Sequence, residues 1–76
     1  MDLEDERDAL VRADRDIEDG KARIRRQQEI IRELSSSGHD TTSAVRLLGT
    51  LEDTLTAMND HRLLIVARIE QMRNDL

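Results

Sequence analysis

Two histidines, a run of serines and one arginine-rich stretch are the residues of this 76-residue chain whose types suit chemistry. His61 lies between Asp60 and Arg62, and His39 lies beside Asp40. An imidazole serves as a nucleophile, proton carrier or metal ligand near neutral pH. A metal needs three or four donors converging within about 2–2.3 Å of the ion. More than 20 positions separate the two histidines, which along a helix is about 30 Å, and no further ligand is spaced to join either. The chain has no cysteine, which excludes disulfides, thiolate metal sites and thiol nucleophiles. Ser35-Ser36-Ser37 has no base placed to activate a hydroxyl. No glycine-rich phosphate loop or carboxylate dyad is present. The expectation is a non-enzyme with no catalytic residue, no cofactor, no metal and no small-molecule substrate.

Charge is plentiful and unevenly placed. Charged residues make up 38% of the chain and the net charge is −5. Nine acids and three arginines fall between Asp2 and Asp19, whereas five bases and the single acid Glu29 fall between Lys21 and Arg32. The basic stretch, with Arg23, Arg25, Arg26 and Arg32, suits phosphates. It lacks an aromatic stacking residue and helix-turn-helix spacing, and the rest of the chain is acidic. Weak nucleic-acid binding through residues 21–32 is therefore a secondary reading. The longest apolar run, Leu63-Leu64-Ile65-Val66-Ala67, is far short of the ~20 residues that cross a bilayer. The acidic start Met1-Asp2-Leu3-Glu4-Asp5 is unlike a signal peptide. No membrane role and a cytoplasmic location are expected.

The elements that position these residues follow from two seven-residue ladders. Leu3, Leu10, Ile17, Ile24 and Ile31 form one; Ala44, Leu51, Met58, Ile65 and Met72 form the other. With no proline to interrupt either, each predicts one long helix. Helix 1 is expected over about 3–36, a turn over 37–40 and helix 2 over about 41–75, together making residues 1–76 one domain. Gly38 is the expected left-handed helix-closing residue. Asp40 is the expected cap of helix 2, accepting from the backbone N–H of Thr42 or Ser43. Asp2, Glu4, Asp5 and Glu6 at the start of helix 1 and Arg32 near its end carry the signs that suit a helix dipole. So short a turn forces the helices antiparallel.

Folding about Gly38 sets residues opposite when their numbers sum to about 78. The second seam rows are then Ala13, Gly20, Gln27 and Leu34 on helix 1 and Leu48, Leu55, Arg62, Ile69 and Leu76 on helix 2. Ile31 meets Leu48, Gln27 meets Leu51, Ile24 meets Leu55, Gly20 meets Met58, Ala13 meets Ile65 and Leu10 meets Ile69. Small residues thus face large ones, as a tight seam requires. Gly20 reads as a point of close helix approach over Met58. Arg62, the charged member of its row, falls opposite Ile17 between Asp16 and Glu18, and is expected to pair with those acids at the seam edge. The same arithmetic sets Arg25 near Asp53 and Arg26 near Glu52.

A lone hairpin covers one stripe per helix. Val11, Ile30, Leu47, Leu63, Leu64 and Val66 are left outside the seam, and a monomer would wet them. The fold expected is all-α: an antiparallel two-helix coiled-coil hairpin that dimerises into a four-helix bundle, these six residues forming the interface. The function expected is a non-catalytic interaction or structural module, a homodimer that could also dock on an unidentified protein partner.

Two resemblances bear on this. A histidine on one helix of a dimeric four-helix bundle is similar to the phosphotransfer domains of bacterial signalling, which implies His61 as phosphoryl acceptor in a second reading. In those hairpins the histidine lies on the first helix; here it lies on the second, followed by Leu63-Leu64-Ile65-Val66. The pattern Gly20, Arg23-Ile24, Gln27, Ile30-Ile31, Leu34, Gly38-His39-Asp40-Thr41, Ala44, Leu47-Leu48, Leu51, Leu55, Met58 and His61-Arg62 resembles a group of short uncharacterised bacterial helical-hairpin proteins. It spans roughly residues 10–65 and implies a free-standing hairpin, with no activity or site attached.

Overall fold

The computed structural model describes residues 2–75. Met1 lies outside the described residues, as does Leu76, which the sequence places in the last row of the seam. Helix α1 spans Leu3–Ser36 and helix α2 spans Thr42–Asn74. They lie antiparallel in a rod of 61 × 15 × 14 Å.

Local chemistry sets the ends. Asp2 caps α1 by accepting from the Asp5 N–H at 2.8 Å, so it stands just outside the helix while Glu4, Asp5 and Glu6 fill the first turn. The last turn of α1 holds no base; it carries Glu33, and Arg32 stops one residue short of it. Gly38 adopts φ +75°, the left-handed region that glycine enters without steric cost. Its N–H bonds the Ser35 carbonyl at 3.1 Å, and the His39 N–H bonds the Leu34 carbonyl at 2.9 Å. This paired closure satisfies carbonyls that the helix end would orphan. Across the turn, the N-cap position of α2 falls to Thr41, which makes no side-chain cap bond, and not to Asp40; Asp40, one residue earlier, still accepts from the Thr42 hydroxyl at 2.7 Å and from the Thr42 N–H at 2.9 Å. Those two bonds, the hydroxyl's foremost, hold its carboxyl below the ordinary value of 3.8.

The seam is thin, as an aromatic-free chain dictates. Ala13, Ile65 and Ile69 form its most buried cluster, with Leu3, Ala9 and Leu10 packed against them. Ile17 is buried farther along. Over Gly20 lie Leu55 and Met58; a β-carbon built there would stand 3.4 Å from Leu55 Cδ1 and 3.4 Å from Met58 Sδ. The two helices are close at this level, yet an ordinary van der Waals distance remains, so alanine fits where glycine stands. Gln27 is buried and donates to the Ala44 carbonyl at 2.9 Å. That bond satisfies a polar side chain that the pairing with Leu51 alone would leave stranded.

The charge pairing departs from the sequence arithmetic. Arg62 bonds Asp14, not Asp16 or Glu18. Its long side chain reaches along the seam edge, toward the acid one turn nearer the N-terminus of α1. Arg26 pairs within its own helix, with Glu29 at 3.2 Å and Glu33 at 3.6 Å; Glu52 is not its partner, and no Arg25–Asp53 ion pair forms among the described residues. Partners three and seven residues along one helix are nearer than acids across the seam.

Candidate interaction surface

The two helices differ sharply in surface. Charged residues fill 18 of 34 positions in α1 and 8 of 33 in α2. Among the described residues the exposed large apolar side chains are Val11 at 57%, Val45 at 50%, Leu47 at 48%, Leu63 at 63% and Leu64 at 61%. All but Val11 belong to α2. A helix with apolar side chains on its outer as well as inner faces is one that structure elsewhere normally covers.

Of the six residues outside the seam, Val11, Leu47, Leu63 and Leu64 are exposed, while Ile30 and Val66 are half-buried at the seam edges. Val45, equally exposed, was missed by the sequence reading because it stands alone between Ala44 and Arg46 at the start of α2. Of the seam residues, Ile17, Ile65 and Ile69 are buried. Leu10, Gly20, Ile24, Ile31, Leu48, Leu51, Leu55, Met58 and Arg62 are half-covered. Even the contact face of this hairpin thus remains partly open.

The exposed residues lie on two flanks of α2. Leu47, Thr50, Thr54, Ala57, His61 and Leu64 are spaced alternately by three and four, which lines them along one flank. No charged residue interrupts that line. Val45 and Leu63 lie on the other flank, the side on which Arg62 reaches across to Asp14. Three threonines of α2 donate to carbonyls of its own backbone. Thr50 donates to the Arg46 carbonyl at 3.4 Å, Thr54 to the Thr50 carbonyl at 2.9 Å and Thr56 to the Glu52 carbonyl at 3.2 Å. A hydroxyl already bonded this way loses little when water leaves.

One further residue was legible in position but not in role. Glu6 continues the row Ala13, Gly20, Gln27, Leu34, and its side chain is 1% exposed. Arg68 Nε lies 3.4 Å from its Oε2, close enough for charge attraction, but neither carboxylate oxygen has a hydrogen-bond donor. The acidic first turn disguised a seam position as a dipole contact.

The residues suited to chemistry are dispersed. His39 and the serines Ser35, Ser36 and Ser37 are exposed around the turn, and His61 is exposed on α2. Lys21 pairs with Glu18 at 3.3 Å, and Arg26 is engaged as above, which leaves the basic stretch partly neutralised. Arg32 lines a shallow surface depression with Glu29, Glu33, Ser36 and Ser37. Among the described residues no cluster of three or more His, Cys, Asp or Glu side chains could hold a metal ion. No described helix is long and apolar enough to cross a membrane. The chain matches no family model, no curated protein and no solved structure.

Proposed function

We propose that this protein is a non-catalytic interaction or structural module that acts as a homodimeric helical bundle. The observation that carries the reading is the concentration of exposed Val45, Leu47, Leu63 and Leu64 on the charge-poor helix. Within that set, Leu47 and Leu64 end a line free of charged residues, and such uncharged, partly apolar surface marks an association face; its hydroxyl neighbours Thr50 and Thr54 are already bonded. A module of this sort works by presenting its assembled, charge-rich α1 surface, and any docking on another protein follows from that assembly.

Light scattering coupled to size exclusion tests the reading. A species of twice the chain mass at micromolar concentration is expected. A well-folded single-copy species under those conditions would overturn it.

A further inference from the structure

On the homodimer reading, the arrangement of charge and apolar surface fixes how two copies meet. We infer that the hairpins stack face to face about a two-fold axis perpendicular to the rod, with α1 antiparallel to its equivalent in the second copy and α2 likewise. The face is the flank of Ile30, Leu47 and Leu64; the flank of Val45 and Leu63 stays outside the contact.

Three observations converge on this arrangement. First, the line on α2 reads alike in both directions. Pairing residues that sum to 111 sets Leu47 against Leu64, Thr50 against His61 and Thr54 against Ala57 of the second copy. Small residues lie at the centre and leucines at both ends, as close helix approach requires. Thr50 and Thr54 bring hydroxyls already bonded to their own helix.

Second, α1 is complementary to itself only when reversed. Its acidic half then covers the basic stretch of the other copy. Pairing residues that sum to 42 sets Asp19 against Arg23, and Asp16 against Arg26, whose exposed pairs with Glu29 and Glu33 on its own helix would be shared with Asp16. Arg12 falls against Ile30, where its methylene stem packs on the apolar side chain. All of these charged residues are exposed. A parallel stack would set acid on acid and base on base, and opposed like charges penalise it. Stacking α1 on α2 of the second copy would bury the charges of α1 against Leu47 and Leu64 without partners.

Third, the two centres coincide. The α1 pairing is centred at residue 21 and the α2 pairing between Leu55 and Thr56. In the hairpin, Gly20 lies against Leu55 and Met58, so one axis passes through both centres. A face 61 Å long and 15 Å wide matches the roughly 800 Å² per partner that stable complexes cover. The opposite flank has no such match: Glu52 interrupts its apolar line, and Arg62 already spans it to Asp14.

The absence of cysteine makes cross-linking a clean test. Thr50→Cys and His61→Cys chains are prepared separately, checked for unchanged helicity, then mixed and bridged by oxidation or a short bis-thiol reagent. The mixture is expected to give a covalent dimer, and either chain alone is not, because like positions stand about 16 Å apart along the axis. Cross-linking of one chain with itself overturns the antiparallel geometry. A dimer by light scattering that fails to cross-link in the mixture overturns the face while leaving the homodimer reading intact. A single-copy species of the unmodified chain overturns both. In a second arm, Arg23→Glu/Arg26→Glu is expected to weaken self-association about tenfold at low salt. Mixing it with Asp16→Arg/Asp19→Arg is expected to restore a dimer containing both chains. Unchanged self-association of the first variant, or failure of the mixture to pair, overturns the charge matching.

Discussion

Asp40 shows how much one exposed side chain does at a turn. It accepts from both the hydroxyl and the N–H of Thr42, and its carboxyl is lowered from 3.8, with the hydroxyl bond as the larger cause. A carboxyl more acidic in the folded chain than in the unfolded one stabilises the fold above the unfolded value. That contribution fades as pH falls through the folded value. Asp40→Ala should therefore lower the urea midpoint at neutral pH, and the gap from the parent should close as pH drops below about 3.8. Asp40→Asn, which keeps the acceptor oxygen, should lose less. Urea unfolding followed by circular dichroism across this pH range checks both, and a gap that stays constant into acid would refute the role of the Asp40 bonds.

At the scale of the element, α1 holds one misfit. Glu6 occupies a seam position with both carboxylate oxygens undonated and, among the described residues, Arg68 as its cation at 3.4 Å. A buried carboxylate costs free energy unless paired and hydrogen-bonded, and apolar replacement of such pairs is often neutral or stabilising. Glu6→Leu is expected to match or exceed the parent in stability, by up to about 2 kcal/mol. Arg68→Ala is expected to destabilise by about 1–3 kcal/mol, because it strips the carboxylate of its counter-charge. If Glu6→Leu proved the more damaging of the two in urea unfolding, the carboxylate would have to be a favourable contact. In α2 the contrast is different: Thr50, Thr54 and Thr56 bond their own helix, and Leu47, Leu63 and Leu64 face outward.

The whole molecule is a rod in which no side chain is far from water. Of the described apolar residues only Ala13, Ile17, Ile65 and Ile69 are buried, so two helices alone enclose little. On the proposed homodimer, assembly supplies the missing cover, and mass action would then tie stability to concentration. Tenfold dilution should lower the melting temperature by about 3–6 °C, given 1.4 kcal/mol per decade and a dimer of this size. A melting temperature independent of concentration over two decades would place the folded state in the single chain.

The hairpin itself was written in the sequence. The seven-residue ladders demanded two helices because a sustained apolar stripe has only one use, and Gly38 with Asp40 marked the turn because each does there what few other residues do. Gly20 over Met58 and Ala13 beside Ile65 followed from counting. Counting failed where long side chains choose among several partners: Arg62 took Asp14, and Arg26 stayed on its own helix. It failed also at Glu6, because an acid in a first turn satisfies a local rule while its row places it in the seam. Local spacing determines what a backbone does, since hydrogen bonds and apolar period act over a few residues. Which acid meets which arginine, which carboxylate is sealed from water and which flank of α2 stays bare depend on how two surfaces lie together, and only the packed pair of helices decided those.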